Sequence, residues 1–459
     1  MPRFRPIAAA SVRRSRTRGL DPLIVVSALL VIATVALAAL TFAHPGTGSV
    51  GGPTNVAFSS AVRGCPATGS TIRVGSLGTG TGPILVRQGS AAPVRSGVVR
   101  PGQTTDIVGS AGPRTVTVDG AGAAGLSVGT FGTNPLSGSR CTEPSSDYWF
   151  TGLGASSTHD SVVEIDNPAD TMARVELTTY ASGVSVAPPV VDDRVLAPRS
   201  RAVIDLFKTN PEYGVYAVHA AVQQGRALVS VLDQSQTPGQ PALSDWMIPQ
   251  FAPLATVTLL GVVPGSGQTL SVVNPGGNQL TAVVRLITKT ATFAPAKFNG
   301  VTVPGNGVAT ADLGAILGGA KDVVGIEIDA PTPVVASLAT VAGNDLAYTG
   351  ADPVLAGEGG AVLPDGAKTV VLGGASVAGP VTVIARDASG QIVFRRSVQV
   401  TTVGGVSVGL PANAVLLQIQ TNRVSLRAAV VVTGNGAIVV PVGRVIRISS
   451  VPFIRPGVD

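Results

Sequence analysis

The stretch Ser161–Leu177 (SVVEIDNPADTMARVEL) returns about a hundred residues later as Leu270–Leu286 (LSVVNPGGNQLTAVVRL), and this recurrence limits the fold more than any other feature. In both, an alternating apolar run ends in Asn-Pro, a small polar turn follows, and a second alternating run begins. Laying Asn167-Pro168 on Asn274-Pro275 sets an offset of 107 residues. Ala173–Leu177 then meets Ala282–Leu286 at 109, after which Ile204-Asp205-Leu206 meets Ala311-Asp312-Leu313, and Ala227–Leu232 meets Val334–Ala339, both at 107 again.

The runs within a copy are short, alternate with period two and are separated by Asn-Pro, Pro-Gly, Gly-Asn and Ser-Gly turns, which predicts antiparallel strands in the number of a β-sandwich. Alternation puts Val163, Ile165, Val175 and Leu177 on one buried face, with Val272, Val284 and Leu286 as counterparts. Pro168 and Pro275 have no N–H and belong at strand ends. Asp205 and Asp312 are expected to accept backbone N–H groups at a turn or short helical start. Fainter copies flank these two, at Arg100–Ile107 with Gly125–Thr130 and at Thr369–Thr433. Gly (57) and Pro (34) are abundant and aromatics are 4%, which suits an all-β chain rich in turns. A period near one hundred is too long for a solenoid unit, and the copies are expected as beads more than as propeller blades.

Leu23–Ala43 is uncharged over 21 residues, long enough for one membrane-spanning helix. Arg3, Arg5, Arg13, Arg14, Arg16 and Arg18 precede it and hold that end in the cytoplasm. The alternative is a cleaved signal peptide, whose apolar region is ordinarily shorter. The formal charge of +6 gathers at this end: residues 1–43 hold six arginines against Asp21, leaving 26 basic and 25 acidic residues beyond. No basic stripe remains for nucleic acid. The fold expected is therefore mainly β: tandem immunoglobulin-like β-sandwich domains after one N-terminal transmembrane helix. Its parts are a basic stub (1–22), the helix (23–43), a linker (44–54) and domains at 55–143, 144–249, 250–364 and 365–459.

Cys65 and Cys141 both follow the apolar span, and two cysteines in one exported segment are expected to pair. The tryptophans, Trp149 and Trp246, fall at copy boundaries, in DYWFTG and SDWMIP, where a large ring seals two packed domains.

The anchored start, the paired cysteines with CTEPSSDYWFTG after the second, and the repeated V-x-N-P … D-L … V-V-A units together resemble an actinobacterial family of unknown function. Its members are single-pass, extracytoplasmic, β-rich and associated with the cell envelope. DYWFTG lacks the further cysteine seen near this tryptophan in some relatives. The resemblance implies an envelope address and transfers no catalytic residue.

Candidate chemistry is sparse. Ser127 and Ser407 sit in G-x-S-x-G, but in Val-rich alternating runs, without the strand–turn–helix of a nucleophile elbow. His44 abuts the apolar span, His159 lies in a polar loop and His219 along a strand. Asp192-Asp193 are neighbours, so on a strand they face opposite sides. No catalytic residue, cofactor or metal site is assigned. The function expected is a non-catalytic, membrane-anchored extracytoplasmic spacer, scaffold or binding module, with the membrane and other envelope proteins or glycans as partners. The alternative is an atypical envelope polysaccharide hydrolase or transferase whose site is assembled between domains.

Overall fold

Val163 and Ile165 alternate with Glu164 and Asp166, and in the computed structural model this run is a strand with its apolar members in the core and its acids half-buried on the opposite face. The structure describes residues 26, 29–35, 54–67, 71–109, 112–133, 136–182, 190–209, 214–320 and 322–451. Two compact units separate, 1–55 with 450–459, and 56–449. In the first, residues 29–35 are helical and exposed. Among the described residues no helix is long and apolar enough to cross a membrane. The stub 1–22 lies outside the described residues, as does most of the span expected at Leu23–Ala43.

After β1 (Thr54–Ala57), the second unit is written in four copies of one strand plan. The first runs β2 (Ser60–Cys65), β3 (Thr71–Ser76), β4 (Gly82–Gln88), β5 (Val94–Val99), β6 (Thr104–Val108), β7 (Arg114–Asp119), β8 (Leu126–Thr133) and β9 (Leu136–Arg140). The second runs β10 (Asp147–Gly154), β11 (His159–Asp166), β12 (Ala173–Ala181), β13 (Val190–Leu196), β14 (Arg201–Asp205), β15 (Val215–Gln224), β16 (Leu228–Ser235) and β17 (Leu243–Trp246). The third holds β18 (Leu254–Leu260), β19 (Gly267–Asn274), β20 (Leu280–Thr288), the short β21 (Thr292–Phe293) and β22 (Val301–Val303), β23 (Gly307–Asp312), β24 (Val323–Ala342) and β25 (Asp345–Thr349). The fourth holds β26 (Leu355–Val362), β27 (Ala367–Gly373), β28 (Gly379–Arg386), β29 (Ile392–Val400), β30 (Val406–Leu410), β31 (Leu416–Thr433), β32 (Ala437–Pro441) and the short β33 (Gly443–Arg444).

The first copy pairs its strands antiparallel as β2-β7-β4-β5 and β6-β3-β8-β9, and the second as β10-β15-β12-β13 and β14-β11-β16-β17. The later copies keep this order but fuse the sixth and seventh strands into β24 (20 residues) and β31 (18 residues), whose two halves serve different sheets. Between the two sheets of each copy lies one apolar cluster, which in the second copy holds Val163, Ile165, Val175 and Leu177 and in the third Val272, Val284 and Leu286, as alternation predicted. The order is not the ABED/CFG of an immunoglobulin domain, and that part of the expectation is corrected. Alternation fixes which face of a strand is buried and leaves the partner undetermined.

The bead arrangement is corrected as well, because the copies form a four-bladed, propeller-like ring. The last strand of each copy leans on its neighbours: β9 meets β17, β17 meets β25, β25 meets β32, and β32 meets β9. Three of the four also enter the core of the copy before them. Leu346 and Tyr348 join the second copy's cluster, Ala437 and Val439 pack with Leu260 and Val324 of the third, and Leu136 closes the circle in the fourth. β25 and β32 are buried along their whole length, on both faces, and AIVVP reads as an unbroken apolar run and DLAYT as a run without alternation for that reason. Arg73 Nη1 donates to the Leu363 carbonyl at 2.6 Å and Val362 N to Ser127 Oγ at 3.2 Å across the closing seam.

Candidate functional site

The side chain of Asn167 donates to the carbonyls of Thr171 (2.8 Å) and Ala197 (2.9 Å), and its oxygen accepts from Ala169 N (3.0 Å). Asn274 repeats this with the carbonyls of Asn278 (2.8 Å) and Pro304 (3.2 Å) and with Gly276 N (2.9 Å). The repeated Asn-Pro is thus a staple between two loops. Asp205 accepts from Lys208 N at 3.0 Å and Asp312 from Gly314 N at 2.8 Å, each at the start of a short helix, Leu206–Thr209 or Gly314–Gly319. The most regular polar signals in the sequence are structural.

The residues singled out for chemistry do not converge. Ser127 and Ser407 lie within β8 and β30, without an elbow. Asp193 pairs with Arg174 at 2.6 Å, while Asp192 pairs with Arg194 at 2.5 Å. His44 lies outside the described residues. His219 Nε2 donates to Asp147 Oδ1 at 2.9 Å, and the ring stacks on Trp149, ring centroids 3.9 Å apart. Trp149 packs with Tyr180 and Ala217 against Val273, Val308 and Val335, between the second and third copies. Trp246 is buried and borders a void of about 30 Å³ together with Cys65, Arg140 and Glu164.

One polar cluster is tighter. Asp233 lies on β16, fully buried, and accepts hydrogen bonds from Ser161 Oγ and, at 2.6 Å, from the Tyr348 hydroxyl of the next copy. His159 Nε2 stands 3.0 Å from both carboxylate oxygens. Burial lowers the His159 pKa, but the hydrogen bond and charge of Asp233 and the charge of Asp160 outweigh it, and the net shift is upward. Serine and histidine meet the carboxylate separately and Ser161 is inaccessible, so no histidine activates the hydroxyl as a triad requires. Burial pulls Lys368 down to about 8, with Arg73 lowering it further against Asp365, but its ammonium is committed to the carbonyls of Gly366 (2.9 Å) and Ala412 (2.7 Å). Among the described residues no group of three or more His, Cys, Asp or Glu is placed to hold a metal.

An open, largely apolar concavity lies where the chain leaves the last long strand of each copy. After β9, β17, β25 and β32 the chain passes through Thr142–Ser145, Ile248–Ala252, Ala351–Val354 and Pro441–Ile446, and these segments surround a cavity of about 550 Å³. Its wall is mostly apolar, and Phe251, Leu254, Val354 and Ile446, four of the large hydrophobic side chains left exposed, all face it. Tyr148 supports Phe251 edge-on at 5.6 Å.

Three arginines and two acids stand among these side chains. Glu143 is held by Arg63 at 2.8 Å. Asp352 accepts from Leu260 N at 2.8 Å, and burial raises its pKa well above the carboxylate range despite that bond and the charge of Arg427. Arg427 donates through Nε to the Asp352 carbonyl at 3.1 Å. Arg444 is exposed. Arg140 is partly buried, and among the described residues it has no carboxylate within the 4.0 Å of an ion pair. Burial pulls its pKa down to about 10, with Arg63 lowering it further and Glu143 opposing, so it stays charged at neutral pH.

The disulfide and one glycine place this arginine. Cys65 and Cys141 are bonded, as compartment and count implied, and Thr142 and Gly64 exchange backbone hydrogen bonds at 2.8 and 2.9 Å, so the segment after Arg140 is clamped to β2. Its guanidinium lies against the Cα of Gly443, where an added Cβ would come within 2.0 Å of it. Sequence reasoning missed both Arg140 and Gly443. The only local signal was Arg140 standing next to Cys141.

Residues 102–411 match the Family of unknown function (DUF5719). The chain belongs to this family. The match begins inside the first copy and ends inside the fourth, so it spans the ring more than any single blade. No curated protein matches the chain.

Proposed function

We propose that this member of the family is a non-catalytic binding module: a rigid ring, carried outside the cytoplasmic membrane by its N-terminal apolar segment, that presents the mouth at the end of its axis to a component of the cell envelope. The observation that carries the reading is the convergence there of the segments that follow the last long strand of each copy, around exposed apolar side chains. A largely apolar concavity with a few convergent polar groups is the usual form of a ligand site. The disulfide supports an oxidising compartment, and the envelope address and the membrane anchor remain parts of this proposal. Polysaccharide hydrolysis fits the mouth poorly, because both of its acids are engaged and a glycosidase needs two that reach the sugar.

A photo-crosslinking amino acid at Val354, on the mouth, and another at Val403, on an exposed loop, test the reading in intact cells. The proposal expects a discrete adduct from position 354 that is absent from 403. Equal or no capture at both would overturn it.

A further inference from the structure

The mouth combines an apolar wall with an excess of positive charge. Glu143 is held by Arg63 and the Asp352 carboxyl is turned to Leu260 N, whereas among the described residues neither Arg140 nor Arg444 has a carboxylate within the 4.0 Å of an ion pair, and Glu143 acts on Arg140 only from farther away. A guanidinium is a planar fork matched to carboxylate, sulfonate or phosphate oxygens. Phe251, Ile248, Val354 and Ile446 supply the apolar counterpart in the same cavity. Gly443 gives the arginine its seat, and the disulfide beside Cys141 fixes the strand end that carries it, so the charge is held in place before any ligand arrives.

We infer that the mouth binds an anionic amphiphile, a molecule with one acidic head and one apolar body, with the head on Arg140 and the body against Phe251 and its neighbours. This rests on the reading of the mouth as a binding site and names the class of molecule it takes. The cavity of about 550 Å³ is within the range of sites that enclose a single ligand of drug or short-lipid size. A neutral apolar molecule would leave the guanidinium without a partner in a dry setting, and a small inorganic anion would leave the apolar wall wet.

The test uses the full chain in nanodiscs of zwitterionic lipid, with empty discs as the blank, and two probes sharing one apolar body: 8-anilinonaphthalene-1-sulfonate, which carries an anionic head, and N-phenyl-1-naphthylamine, which does not. The sulfonate is expected to saturate at one molecule per chain. Arg140→Gln is expected to weaken it about tenfold or more, the usual worth of a charge-assisted hydrogen bond, and to change the neutral probe less than about twofold. Val354→Glu, at an exposed position that does not threaten the fold, should weaken the sulfonate in the same way. If both probes bind and Arg140→Gln alters them equally, the anionic assignment is overturned and the mouth remains a site for neutral ligands. If neither probe saturates, the mouth is not a ligand site and both readings fall.

Discussion

Asp245 accepts the backbone N–H of Tyr348 at 3.1 Å, so a carboxyl from the last strand of the second copy caps the last strand of the third. One seam further on the device returns, with Asp345 accepting from Ala437 N at 2.7 Å. Asp345→Ala would strand a buried amide and is expected to lower stability by about 1–3 kcal/mol. Asp345→Asn, whose amide oxygen can still accept, should cost less. Chemical denaturation of the two variants side by side checks the order.

Asn274 is buried and serves two carbonyls and one amide. Asn274→Ala should destabilise by about 1–3 kcal/mol, and Asn167→Ala by a similar amount. The staples belong to different copies and share no partner, so the double variant should show nearly the sum. Denaturant midpoints at unchanged slope are the measurement.

Cys65 and Cys141 close a loop with a sequence separation of 76. Replacing both with serine is expected to remove about 2–5 kcal/mol. Because the bond clamps the segment after Arg140, the pair of substitutions should also loosen the mouth, raising hydrogen exchange at Thr142 and Glu143 more than at the distant β29. Uniform exchange across the ring would contradict that link.

Stability should fall as the solution is made alkaline. His159 has a folded pKa raised above 6.5, so the folded state binds its proton more tightly, and the stability this gives is complete below about 6.5 and lost as pH climbs through the folded value. Asp345 acts in the same sense at lower pH: burial raises its pKa despite the amides of Ala437 and Leu346, and its contribution declines from about 3.8 upward. His159→Asn should flatten the profile above about pH 6.5 and leave the acidic limb alone. Melting temperatures at several pH values decide it.

Strands and their buried faces were legible because Val163, Ile165, Val272 and Val284 alternate with polar neighbours, and period two has one physical meaning. The recurrence of Asn-Pro and Asp-Leu marked equivalent places because the same loop must be tied each time. The ring was harder to see. Its signal was the absence of alternation in DLAYT and AIVVP, where both faces of a strand are covered, and a short unbroken apolar run does not say by what. The mouth was hidden for another reason: Arg140, Phe251, Val354 and Ile446 lie more than three hundred residues apart at the extremes, and only closure of the ring brings them to one cavity.

That closure also imposes a timetable on the chain. Leu136 is in place early in synthesis, yet the fourth-copy cluster that receives it includes Ile438, which follows 302 residues later. Contacts of such sequence separation form late and slowly, so Leu77, Phe131 and Leu136 must wait uncovered while the later copies are still being made. Nascent chains stopped after residue 364 should therefore be captured by holdase chaperones or self-associate, and release should coincide with arrival of β31 and β32. The first blade to fold is the last to be finished.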